Sequence, residues 1–126
     1  MREIYLRGFG ICVRKSDPKA VMTSYNLLNG THTAEHRGLI EDILRSEFGF
    51  SGIVMTDWVV AMMEAPKSTH RNTLSPEVAM AGGDLFMPGG KADYNRLMEA
   101  LKEGKVTRKQ LEINASRVLK MIDTLV

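Results

Sequence analysis

Three short apolar runs, each closed by turn residues and separated by segments of helical spacing, constrain this chain most. The first is Ala20-Val21-Met22-Thr23-Ser24-Tyr25, which ends at Asn26 and the turn pair Asn29-Gly30. The second, Ile53-Val54-Met55-Thr56-Asp57, follows Ser51-Gly52 and stays apolar until it meets a carboxylate. The third, Asp84-Leu85-Phe86-Met87, is closed by Pro88-Gly89-Gly90. Short runs of this kind, bounded by Gly, Pro and Asn, read as buried strands. Connections that contain a helix join parallel strands, and parallel strands are covered on both faces.

The intervening segments supply the helices. Residues 1–15 place Ile4, Phe9, Cys12 and Val13 on one helical face, weakened by Gly8 and Gly10 and ended by Asp17-Pro18. Thr33 stands as an N-cap for a helix lined by Leu39, Ile40, Ile43, Leu44 and Phe48, with Gly49 just past its end. Residues 62–74 are polar and irregular, a long loop. Ser75-Pro76-Glu77 opens a short helix with a capping residue, a proline and an acid near the positive end of the dipole. That helix stops at Gly82-Gly83. Tyr94, Leu97, Met98 and Leu101 share a face of the next helix, which Gly104 ends. Thr107 and Gln110 form a capping box for the last, lined by Leu111, Ala115, Val118, Leu119 and Ile122. The fold class is α/β. Three strands do not close a barrel, so the chain is either a small open sheet or a run of β/α units from an eightfold barrel.

Composition narrows the function classes. A chain of 126 residues is long enough for one domain with a core, and 44% hydrophobic with 25% charged residues is ordinary for a globular protein. The net charge of +2 comes from scattered Lys and Arg, so no nucleic-acid partner is expected. Cys12 is the single cysteine, which excludes an internal disulfide and a cysteine zinc site. It fits a reducing, cytoplasmic location. Residues Met1 to Leu6 carry charge and lack the apolar run of a signal peptide, so any such signal would lie upstream. No apolar stretch approaches the roughly 20 residues that span a bilayer, and no membrane partner is expected.

Parallel α/β proteins place their sites at the carboxyl ends of the strands. Here those ends carry Tyr25-Asn26, Asp57-Trp58 and Met87-Pro88. A carboxylate can attack an anomeric carbon, a tryptophan can offer its face to a sugar ring, and a tyrosine hydroxyl can orient the carboxylate. Each residue also has a plainer reading: Asp57 as the N-cap of the next helix, Trp58 as core, Tyr25 as packing under a loop. His32, His36 and His70 read as surface or capping residues. His32 and His36 lie one helical turn apart, but the Glu of an H-E-x-x-H site is missing, so no metal is expected. Asp84 and Glu64 are further acids with nothing around them to mark a role. Gly82-Gly83 and Gly89-Gly90 make no phosphate-binding pattern.

The wording of the chain resembles glycoside hydrolase family 3. Val21 to Asn26, followed by Asn29-Gly30, is similar to a strand-and-loop block of family 3 β-glucosidases, and LIEDILRSEFGF over Leu39–Phe50 to the helix after it. Ser51-Gly52-Ile53-Val54-Met55-Thr56-Asp57-Trp58 resembles the nucleophile strand. Ala81 to Gly89 resembles the family's A-G-x-D-x-x-M-P-G block, and Arg2 to Leu6 the helix upstream of the first block. These blocks keep the family's order and span nearly the whole chain.

The resemblance implies that residues 1–126 are a partial barrel domain: about three parallel β/α units, a partial TIM barrel from the C-terminal half of the catalytic (β/α)8 barrel. It implies a retaining glycosidase with Asp57 as nucleophile, Tyr25 as its hydrogen-bonding neighbour and Trp58 as a wall of the sugar site. Met22, on the strand of Tyr25, would face the pocket. The substrate would be a β-glucoside or related oligosaccharide, and no metal or organic cofactor is needed. The chain also departs from the family. The acidic residue, the arginine and the Lys-His pair of the earlier strands have no counterpart, nor does the acid/base Glu of the following domain. Val59-Val60 stands where Gly-Ala is common, and the loop from Ala61 to Leu74 is unlike the pattern. The isolated chain is therefore expected to be weak or inactive. Two other readings remain open: a truncated carbohydrate-binding module, and a structural half-barrel that self-associates or pairs with a complementary half.

Overall fold

The computed structural model describes residues 1–58 and 72–125. A π-helical turn, Arg2–Leu6, leads into α1 (Arg7–Ser16). Strand β1 (Ala20–Met22) is followed by the hairpin of β2 (Leu27–Leu28) and β3 (Thr31–His32). A 3-10 turn (Thr33–Glu35) and a π-helix (Gly38–Glu47) lead to β4 (Ile53–Met55). Helices α2 (Ser75–Ala81), α3 (Lys91–Lys102) and α4 (Arg108–Asp123) complete the described chain.

The architecture is α/β. Strands β1 and β4 pair in parallel, with Ala20, Val21 and Met22 opposite Ile53, Val54 and Met55. The expected third strand contributes one parallel bridge, Leu85 to Met55. Side chains replace the rest of that ladder: Asp84 Oδ2 accepts from Val54 N at 2.8 Å, and Thr56 Oγ1 accepts from Met87 N at 2.8 Å. The β2–β3 hairpin was read only as a turn, because two-residue strands leave no alternation to see. Its turn residues Asn29 (φ 51°) and Gly30 (φ 83°) take the left-handed conformations that a tight hairpin demands.

Ile53 and Val54, which alternate across β4, are both buried, so that strand is covered on both faces. Val13, Ile40, Leu44, Phe50, Val54 and Ala81 form a buried cluster, with Val21 and Phe48 packed against it. Burying a Leu, Ile or Phe side chain stabilises by about 1.5–3 kcal/mol, so this cluster ties α1, the π-helix and β4 together. Cover on both faces is not seen at β1, where Ala20 and Met22 are exposed while Val21 packs inward.

Several helical expectations need correction. Of the four residues assigned to the first apolar face, only Val13 is buried; Ile4, Phe9 and Cys12 are exposed. Thr33 caps no helix, because its hydroxyl is engaged with the Ser24 backbone. Ser75 also does not cap: its Oγ donates to Asp93 O at 2.9 Å. Tyr94 is exposed beneath the Lys91 ammonium, 5.3 Å from the ring centre. Thr107 does cap α4, accepting from Gln110 N at 3.1 Å, but the Gln110 side chain turns to Asn114 instead of back to the cap. Asn114, not Ala115 or Leu119, is the buried residue of that helix. It donates to Ala79 O and Gly83 O at 2.9 and 3.0 Å. Gly49, by contrast, takes the expected left-handed conformation after the π-helix (φ 82°).

Candidate active site

The carboxyl ends of β1 and β4 are held together as they leave the sheet. Thr23 N donates to Met55 O at 2.9 Å, and Thr56 N donates to Leu85 O at 3.0 Å. Thr56 is itself buried, so the residue before Asp57 is anchored by backbone and side chain alike. On the β1 side, Ser24 is fastened to Thr33: its N donates to the Thr33 hydroxyl at 3.1 Å.

From these anchors the Asp57 and Tyr25 side chains meet the Trp58 backbone. Asp57 is half-buried, and its Oδ1 accepts from the Trp58 amide at 2.7 Å. Tyr25 Oη donates to Trp58 O at 2.7 Å. Loss of solvation and the neighbouring Asp57 carboxylate push the Tyr25 pKa above its ordinary value. Trp58 is 46% exposed, so much of its indole face is open to a ligand. The arrangement offers an oriented carboxylate with a phenol beside it, next to an exposed tryptophan.

Met22 is not gathered with these three. It lines an apolar cavity of about 430 Å³ with Tyr5, Phe9, Val21, Leu39 and Ile43, and Tyr25, Asp57 and Trp58 are not among that cavity's walls. His36 has a capping role, its Nδ1 accepting from Leu39 N at 3.2 Å. Among the described residues no three His, Cys, Asp or Glu side chains are grouped to hold a metal. Glu64, His70, the Val59-Val60 pair and most of the loop expected over 62–74 lie outside the described residues.

A family model described as "Glycosyl hydrolase family 3 N terminal domain" matches residues 1–121. The chain belongs to glycosyl hydrolase family 3. This family 3 chain is 41% identical to a β-glucosidase of Rhizobium radiobacter over 98% of its own length and 14% of the relative's. It is also 41% identical to probable β-glucosidase J of Neosartorya fischeri, over 97% of this chain and 13% of that protein. Among solved structures, β-glucosidase 3B of Thermotoga neapolitana superposes with a TM-score of 0.83 at 39% identity, covering 96% of this chain and 16% of that one. The family 3 chain thus spans about one-seventh of the length of these relatives.

Sequence reasoning missed a buried charge cluster made by Asp84, Arg45, Arg117 and Glu41. Asp84 has a side chain with 0% exposure and pairs with Arg45 Nη2 at 2.6 Å and Arg117 Nη1 at 3.3 Å. Glu41 completes it, 3.0 Å from Arg117 Nη2. The available signal was two arginines set inside apolar stripes, Arg45 beside Leu44 and Arg117 beside Val118.

Proposed function

We propose that this chain is the nucleophile-bearing stretch of a retaining β-glucosidase and works as part of a larger family 3 enzyme. The observation that carries the reading is the meeting of Asp57, Tyr25 and Trp58 at the carboxyl ends of two parallel strands. The β-glucosidase names of the relatives supply the substrate class. In this reading Asp57 attacks the anomeric carbon of a β-glucoside and the bond to the leaving oxygen breaks. That oxygen takes a proton from a carboxylic acid supplied outside this chain. Water then displaces Asp57 from the glycosyl-enzyme, and the same acid, now a base, takes the water proton. Tyr25 steadies the carboxylate, and Trp58 walls the sugar site. No step requires a metal or organic cofactor. The β/α units would belong to a (β/α)8 barrel, which the parallel pairing of β1, β4 and Leu85 supports. We place the protein in the cytoplasm.

The test uses an aryl 2-deoxy-2-fluoro-β-glucoside and peptide mass spectrometry. The chain is carried within a full-length family 3 frame. A glucosyl label on Asp57 is the expected result; labelling of another carboxylate, with Asp57 free, overturns the assignment. The chain alone is expected to show little or no turnover. Efficient turnover that Asp57→Ala abolishes would place an acid within these residues, with Glu64 the first to substitute.

The half-barrel reading also has support of its own. Ala20 and Met22 leave one face of β1 open, and Ile4, Tyr5 and Phe9 are exposed near the apolar cavity. Such surfaces invite association with a second copy or a complementary half. Sedimentation of the isolated chain should then show self-association, and a compact monomer at high concentration counts against it.

A further inference from the structure

Alternate residues of β4 face opposite neighbours. Ile53 N donates to Lys19 O at 3.0 Å, on the β1 side. Val54 and Thr56 face the segment 82–87. Thr56 N finds a backbone carbonyl there, Leu85 O at 3.0 Å. Val54 N finds a side chain instead, Asp84 Oδ2 at 2.8 Å. The carbonyl of the same residue accepts from Asp84 N at 2.8 Å and Leu85 N at 3.1 Å. Asp84 therefore grips Val54 through both its side chain and its backbone.

That carboxylate is held in turn. Arg45 joins Asp84 to the entrance of β4, donating from Nη1 to Gly52 O at 2.8 Å and from Nη2 to Asp84 Oδ2 at 2.6 Å. Arg117 reaches Asp84 Oδ1 and Gly82 O, both at 3.3 Å. The guanidinium groups come from the π-helix and α4, so the grip on β4 is fixed from two elements outside the sheet.

We propose that Asp84 is a positioning residue: clamped by Arg45 and Arg117, it sets the register of β4 against residues 82–87 and thereby the place of Asp57 on the rim. The functional weight of this inference rests on reading Asp57 as the site carboxylate. Asp57 stands three residues beyond Val54, roughly 10 Å along an extended strand, so Asp84 acts on it through the strand and not by contact. A slip of one residue would turn every side chain to the opposite face. It would also bring opposite Asp84 a residue whose N–H and C=O face β1. The carboxylate would then keep its arginines and lose its amide, which makes the slipped register unfavourable.

The experiment is done on the 126-residue chain, with Tyr25 as reporter because Asp57 raises its titration. Carbon NMR of the Tyr25 ring is followed against pH in the unsubstituted chain and in Asp84→Asn, Arg45→Lys and Asp57→Asn. The last fixes the Tyr25 midpoint without its charged neighbour. Circular dichroism and thermal melting establish which variants are folded. In an Arg45→Lys or Asp84→Asn chain that circular dichroism shows to stay folded through the whole titration, the Tyr25 midpoint should fall toward that of Asp57→Asn. A folded variant whose Tyr25 titrates as in the unsubstituted chain overturns the proposal. If both variants unfold, amide exchange in the unsubstituted chain decides. A Val54 amide that exchanges only through global unfolding supports the clamp, and one that opens locally, faster than Thr56, overturns it. None of these measurements involves sugar, so a failure of the nucleophile assignment shows separately in the fluoroglucoside labelling.

Discussion

Two aspartates flank the same short strand and are treated in opposite ways. The Asp84 side chain is fully buried and receives the Val54 amide and two guanidinium groups. Burial pushes its carboxyl above the usual range and pushes Arg45 down, while the amide and the ion pairs pull each back. Asp57 is half-buried, holds the amide of the next residue and lies beside a phenol. Among the described residues it has no Lys or Arg ion pair; those pairs all lie elsewhere. A carboxylate whose oxygens are engaged by cations and an amide is poorly placed to attack carbon. One that is oriented but still open can do so. The difference gives Asp84 a packing role and leaves Asp57 as the candidate for chemistry proposed above, although both are strand-end aspartates in the sequence.

The sharpest way to break this contrast is to remove each in turn. In a full-length family 3 frame, Asp57→Ala should lower glucoside turnover by roughly four orders of magnitude or more. Urea unfolding of the same variant should move by no more than about 1 kcal/mol. Asp84→Ala should do the reverse in the first instance, destabilising the fold by about 3–5 kcal/mol because two guanidinium groups are left sharing Glu41 and the Val54 amide loses its acceptor. If Asp84→Ala unfolds no more easily than the parent, the cluster does not hold β4 and the contrast collapses.

A smaller effect is expected one layer further out. Asn114 donates to Ala79 O and Gly83 O and so shapes the turn that delivers Asp84. Asn114→Ala leaves Gly83 O without its donor, while Ala79 O keeps Gly82 N, and should cost about 1–3 kcal/mol by urea unfolding. Because Asn114 makes no contact with Asp57, labelling of Asp57 by the fluoroglucoside should survive this substitution.

What could be read in the sequence divides along the same line. The strand β4 was legible because Ile53-Val54-Met55 is apolar and flanked by Gly52 and Asp57, and its parallel pairing with β1 followed from the helix between them. The rim residues Tyr25, Asp57 and Trp58 were legible because strand ends carry them past the core. Asp84 was not, since an acid at a strand start looks the same whether it faces water or two arginines. Its partners lie 39 and 33 positions away, a separation that no local pattern encodes. The exposure of Ile4 and Phe9 was missed for a related reason: helical spacing shows that a face is apolar, but not whether anything packs on it. Met22 was carried to the pocket by its place on the strand of Tyr25. In the structure Met22 lines the apolar cavity together with Val21, apart from Tyr25, Asp57 and Trp58.

The last prediction uses Tyr25 to ask whether Asp57 stays beside it in solution. An unfolded tyrosine loses its proton near pH 10. In the folded chain desolvation and the neighbouring Asp57 carboxylate raise that value. As pH rises past about 10 the unfolded state therefore releases its proton first and binds fewer protons than the folded state. The slope of unfolding free energy with pH is then negative. Stability that is fully present below the unfolded value is lost as pH climbs through the folded one. Tyr25→Phe removes the titrating group, so its urea midpoint should fall less between pH 8 and 11 than that of the parent. The comparison is of differences, because lysines and the other tyrosines titrate in both chains. Asp57→Asn should lie between the two, since desolvation of the phenol remains when the charge is gone. If Tyr25→Phe and the parent lose stability in parallel, the phenol does not sense Asp57. The open aspartate would then lack the neighbour that distinguishes it, chemically, from any exposed carboxylate.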